Sequence, residues 1–107
     1  MQAGGGVHAF AATWGTDGVL YLTGELDLAY EDALRAALEK RWDGRGELII
    51  DLSQLVFLDS TGVNALARVS ARSDAGRVLL RSPDPRVLRV LELVGCTAWP
   101  NVAIQRA

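Results

Sequence analysis

Ser60 is the residue with the most chemistry within its reach. It stands in Asp59-Ser60-Thr61-Gly62, where an apolar run gives way to a helical period. A helix start presents unpaired N–H groups and the positive end of the helix dipole. A hydroxyl placed there can accept a phosphoryl group, gaining three acceptor oxygens and about −1.5 to −2 charges at little folding cost. Taken by itself, a serine at such a point is a helix cap whose oxygen bonds a backbone N–H one turn ahead. Thr61 supplies a second hydroxyl, and Asp59 an acid beside both. Gly24-Glu25-Leu26-Asp27 is a further acidic segment in which Asp27, read alone, is a turn or cap residue. Both Asp27 and Asp59 follow strands, however, and loops beyond the carboxyl ends of parallel strands gather at one edge of a sheet, where partners bind. Two acids beside Ser60 would repel an added phosphate.

Other chemistry is excluded by what the chain lacks. With His8 as the one histidine, there is no multi-histidine metal site, and no serine triad unless His8 is its base. Cys96 is the one cysteine; it can form no internal disulfide or CxxC motif, fits a reducing compartment, and reads as a buried thiol. Asp27 and Asp59 alone are a poor Mg²⁺ site, because that ion keeps several waters and uses substrate phosphates as well as carboxylates. The 11 basic and 13 acidic residues leave a net charge of −2, which gives no field for a phosphate backbone, so direct nucleic-acid binding is not expected. Phe57-Leu58-Asp59-Ser60-Thr61-Gly62 has some likeness to the Asp-Ser/Thr-Gly segment of aspartic proteases. There the glycine follows the hydroxyl residue at once and the segment stays extended, whereas here Asp59 and Gly62 are two residues apart and a helix period follows.

The elements that must position these residues follow from two periods. His8 to Trp14, the turn Gly15-Thr16-Asp17-Gly18 and Val19 to Thr23 predict a β-hairpin. From Tyr30 to Trp42, Ala33, Leu34, Ala37, Leu38 and Trp42 share one face, with Glu31, Arg35 and Glu39 spaced i, i+4 on another, predicting an amphipathic helix ended near Gly44. Glu47 to Leu52 predicts a buried strand bounded by Ser53. A second helix is expected from the Asp59 motif to about Ser73, a strand over Arg77 to Arg81, and a third helix capped by Asp84 with Pro85 at its first position. Gly95 suits the residue after that helix, and Val102 to Ile104 a last edge strand. Strands that alternate with helices need crossover connections, so the expected class is α/β, a mixed β-sheet with an N-terminal antiparallel hairpin, parallel strands and three principal helices. The expected core is Leu34, Leu38, Leu48, Ile50, Val63, Leu66, Val78, Leu79, Leu88 and Leu91. At about 100° per residue, Ser60, Asn64, Ala67, Arg68 and Ala71 share one arc of the second helix, while Val63, Leu66 and Ser70 turn towards the sheet. That arc is small and polar with Arg68 available, which suits a transient partner interface; Arg68 and Arg72 as solvated charges fit as well. Residues 1–6, with three glycines, read as a tail, and residues 7–107 as one domain. No apolar run approaches the ~20 residues of a membrane span, and the first residues carry no export signature, so a cytoplasmic monomer is expected.

Gly24-Glu25-Leu26-Asp27, Asp51-Leu52-Ser53, the run Val56 to Gly62 and the closing Val87 to Gly95 resemble a STAS domain, in its branch of bacterial anti-sigma factor antagonists. The similarity runs from about Val19 to about Ile104. It implies a switch without catalysis of its own. In that family the unphosphorylated antagonist binds an anti-sigma factor that is also a serine kinase and so frees a sigma factor, and phosphorylation of the motif serine ends the complex. Ser60 matches that serine, Thr61 a position occupied by Ser or Thr, Asp27 the loop aspartate near the phosphosite, and Asp59 the acid before it. ATP and Mg²⁺ would belong to the kinase, and a phosphatase would be a further partner. Gly62-Val63-Asn64 departs from the usual Gly-Leu-Gly, so the partner-facing turn carries an amide. The alternative is a STAS module used only for assembly in a transport or stress-signalling complex.

Overall fold

The computed structural model describes residues 10–43, 45–71 and 76–106. The glycine tail, His8, Gly44, Arg72 and the stretch from Ser73 to Ala75 lie outside them. The elements are strands β1 (Ala11–Trp14) and β2 (Leu20–Leu26), a 3₁₀ turn (Leu28–Tyr30), helix α1 (Glu31–Arg41), strand β3 (Glu47–Leu58), helix α2 (Ser60–Ala71), strand β4 (Arg77–Arg81), helix α3 (Pro85–Leu93), a second 3₁₀ turn (Cys96–Ala98) and strand β5 (Val102–Gln105). The sheet order is β1-β2-β3-β4-β5. β1 and β2 form the expected antiparallel hairpin, and β2 to β5 run parallel. The mixed α/β architecture is therefore the one the alternation of periods demands.

Helices cover one face. Leu48, Ile50 and Leu52 of β3 share a buried core with Leu34 and Leu38 of α1, Val63, Leu66 and Val69 of α2, and Val87 and Leu91 of α3. Cys96 is fully buried, as expected. Asp84 caps α3 by accepting the Arg86 N–H at 2.9 Å, with Pro85 at the first position, and Gly95 closes it at φ 71°.

Four expectations are corrected. β3 does not end at Leu52 but runs to Leu58, because two register shifts against β2, one between Tyr21 and Thr23 and one between Gly24 and Glu25, absorb extra residues that break the simple alternation. Ala33 is exposed, since the buried stripe of α1 is the narrower Leu34, Ala37 and Leu38. Leu79 is half-buried: Val78 and Leu80 point to the helices, and Leu79 sits beside Ile49 and Ala103 on the other face. Leu88 is half-buried too, because α3 buries Val87 and Leu91, one turn apart.

The face opposite the helices carries a row of paired residues, Thr13, Tyr21, Asp51, Arg81 and Gln105. Asp51 is buried, accepts Arg81 Nε at 2.9 Å, and takes both the N–H and hydroxyl of Ser53. Burial pushes its carboxyl up, but the Ser53 bonds and Arg81 outweigh that and hold it below the usual range. A depressed carboxylate contributes stability above its unfolded value of about 3.9 and loses it as pH falls through the folded value. Asp51→Asn should therefore cost about 1 kcal/mol at pH 7 and flatten the acid limb of a stability–pH curve measured by urea titration.

Candidate functional site

β2 and β3 end side by side, with Leu26 paired to Leu58. The next residues, Asp27 and Asp59, thus leave the sheet at one edge on neighbouring strands, whose spacing is about 4.8 Å. Asp27 turns at once into the 3₁₀ segment: its Oδ1 accepts the Ala29 N–H at 2.9 Å and its carbonyl the Tyr30 N–H at 3.1 Å. Asp59 turns into α2, and its carbonyl accepts the first helical bond, from Val63 N–H at 2.9 Å.

The cap of α2 is Asp59, not Ser60. Asp59 Oδ1 accepts the Gly62 N–H at 2.9 Å and the Thr61 hydroxyl at 2.6 Å. The Thr61 hydroxyl, then the Gly62 N–H, hold the Asp59 carboxyl below the ordinary carboxylate range. Ser60, the first helical residue, is exposed. Among the described residues no group hydrogen-bonds its hydroxyl, so the capping duty that a serine here would ordinarily carry has passed to its neighbour. Gly62 is buried, and a Cβ on it would lie 2.3 Å from the Leu26 carbonyl oxygen. The first turn of α2 is thus seated directly on the end of β2, which brings the Ser60 and Asp27 segments together. Replacing Asp59 with Ala should cost about 1 kcal/mol through the lost cap, read as a lower urea midpoint with an unchanged slope.

Along α2, Ser60, Asn64, Arg68 and Ala71 are exposed and Ala67 is half-buried, while Val63, Leu66 and Ser70 are buried. The arc expected from the helical period is present. Arg68 is less available than the spacing suggested, for it pairs with Glu31 Oε2 on α1. That contact spans a groove of about 380 Å³ floored by Leu34, Leu38, Ala65 and Val69. The i, i+4 spacing of Glu31 and Arg35 does not become a pair: Arg35 bonds Asp32 at 2.8 Å, and nothing local in the sequence signals a contact 37 residues away. Phe57, two residues before Asp59, is a surface group that its apolar run does not announce: it pairs with Glu25 across the sheet and is 45% exposed.

A family model described as "Mlab, STAS domain" matches residues 10–102. The chain belongs to the STAS domain family. Several solved structures share the fold of this STAS domain. One is a Thermotoga maritima protein described as an anti-sigma factor antagonist, 21% identical over 87% of this chain and 84% of that one, with a TM-score of 0.66. Another is the Bacillus cell-fate determinant SpoIIAA in its phosphorylated form, 25% identical over 89% and 91%, with a TM-score of 0.59. The anti-sigma factor antagonist SpoIIAA in its unphosphorylated form matches at 23% over 89% and 87%, with a TM-score of 0.58. No curated protein matches the sequence. Among the described residues, no helix is long and apolar enough to cross a membrane.

Proposed function

We propose that this STAS domain is an anti-sigma factor antagonist switched off by phosphorylation of Ser60. The observation that carries the reading is the exposed Ser60 hydroxyl at the first position of α2, relieved of capping by Asp59. That one of the similar structures is SpoIIAA in its phosphorylated form supports it. In this reading the unphosphorylated protein, a cytoplasmic monomer, binds an anti-sigma factor with serine kinase activity through the α2 arc of Ser60, Asn64, Ala67, Arg68 and Ala71, and the sigma factor is released. ATP and Mg²⁺ come with the kinase; the domain itself catalyses nothing, and a phosphatase resets it.

The physics of the switch is local. A phosphate on Ser60 adds a dianion beside Asp59 and near the Asp27 turn, while the dipole of α2 offsets part of its effect on folding. The fold persists and the interface is spoiled. A tenfold loss of affinity needs about 1.4 kcal/mol, well within what a mispaired interfacial charge supplies. Ser60→Asp should bind the kinase at least tenfold more weakly by calorimetric titration, and Ser60→Ala should bind like wild type but resist inactivation by ATP. A second reading is a non-catalytic assembly module of a transport or stress-signalling complex, in which the groove between α1 and α2, floored by Leu34, Leu38, Ala65 and Val69, seats a partner whatever the state of Ser60. Stoichiometric phosphorylation of Ser60 with unchanged partner affinity would establish that reading instead.

A further inference from the structure

Two adjacent hydroxyls stand at the start of α2, and the cap treats them differently. Thr61 is half-buried and gives its hydroxyl proton to Asp59 Oδ1 at 2.6 Å, the same oxygen that receives the Gly62 N–H at 2.9 Å. The cap therefore ties down the second and third helical residues and passes over the first. Ser60 stays exposed. Both residues are close to Asp59 along the chain, so proximity alone does not distinguish them; hydrogen bonding does.

We infer that Asp59 is a positioning residue that selects Ser60 over Thr61 as the phosphoryl acceptor. The inference rests on the function proposed above. In the transfer a serine Oγ–P bond forms, the terminal P–O bond of ATP breaks, the hydroxyl proton passes to a base on the kinase, and ADP leaves. Ser60 can turn its oxygen to the donor at no cost to the fold. Thr61 must first withdraw its proton from a carboxylate, and a hydrogen bond to an ionised acceptor is among the stronger ones available. Asp59 is no substitute base, because the bonds that hold its carboxyl low also make it a weak proton acceptor.

The test is phosphosite mapping by mass spectrometry on full-length protein recovered from its native cell. In wild type, Ser60 should exceed Thr61 in occupancy by at least about tenfold, the size expected when one charge-assisted bond must be broken. Ser60→Ala should leave Thr61 below about a tenth of the wild-type Ser60 level on the same ground. Ser60→Ala combined with Asp59→Ala should transfer the phosphate to Thr61, and Asp59→Asn, which keeps an acceptor oxygen but not its charge, should leave a preference for Ser60 that is smaller than in wild type. Three-bond couplings supply a readout that loss of helix stability alone does not move: Thr61 χ1 should be one rotamer in wild type and averaged in Asp59→Ala, with Ser60 averaged in both. If Asp59→Ala does not fold, the single Ser60→Ala and Asp59→Asn variants decide. Equal phosphate on Thr61 and Ser60 in wild type, full modification of Thr61 in Ser60→Ala, or an averaged Thr61 rotamer in wild type overturns the inference and leaves the proposed function standing. Phosphate on neither residue overturns both.

Discussion

Leu66→Ala should lower the stability of the domain by about 2–5 kcal/mol, the range for truncating a buried leucine whose cavity closes only in part. Leu66 lies in α2 at 3% exposure, within the core that joins Leu48, Ile50 and Leu52 of β3 to all three helices. Dense packing on that side leaves little slack to refill the space. The measurement is a urea midpoint, with Arg68→Ala as comparison. Arg68 is on the same helix, but its side chain is 67% exposed and its ion pair with Glu31 lies at the surface, so its removal should cost no more than about 1 kcal/mol. Equal midpoints for the two variants would mean that α2 presents another face to the sheet.

The Leu66 prediction also shows what kind of information the sequence carries. On α2 the helical period separates Val63, Leu66 and Ser70 from Ser60, Asn64 and Arg68, and burial follows that division, because a helix facing a sheet on one side obeys its own repeat. β4 is less legible. Val78-Leu79-Leu80 is apolar throughout, so period cannot say which residues point to the helices; the answer, Val78 and Leu80, depends on alignment with β3. β3 is harder still, since its alternation fails at the register shifts and Leu52, Leu55 and Leu58 are buried at intervals of three. A bulge is a property of two strands, and one sequence segment does not display it.

The site divides in the same way. That Asp59-Ser60-Thr61-Gly62 begins a helix was legible, since an apolar strand and a helical period meet there. Which residue caps the helix was not. Aspartate, serine and threonine are all good caps, and the choice turns on where the chain leaves β3. Because it leaves one residue early, Asp59 takes the cap, Thr61 is drawn in with it, and Ser60 is left outside. The Glu31 contact with Arg68 depends likewise on how α1 and α2 lie side by side.

Gly62→Ala should destabilise the protein by about 1–3 kcal/mol net, against the sign that helix propensity gives. Inside a helix, alanine is preferred to glycine by about 0.8–1 kcal/mol, so an unobstructed position would gain from the change. Gly62 is obstructed by backbone. The added Cβ would meet the Leu26 carbonyl oxygen at 2.3 Å and its carbon at 3.1 Å, with Leu58 Cδ1 at 2.7 Å. A leucine methyl can rotate aside, but the Leu26 carbonyl belongs to β2 and is fixed by its pairing with β3. The first turn of α2 must lift instead. Overpacking of this kind costs about 1–3 kcal/mol, and the lift draws the Gly62 N–H from Asp59, adding about 1 kcal/mol for the cap. The same movement frees Thr61 and shifts Ser60, so amide resonances of residues 26–30 and 58–64 should move together while those of β4 and α3 stay in place. A urea midpoint at or above that of wild type would show that α2 does not rest on the end of β2, and would separate Ser60 from the Asp27 turn on which the repulsive half of the switch depends.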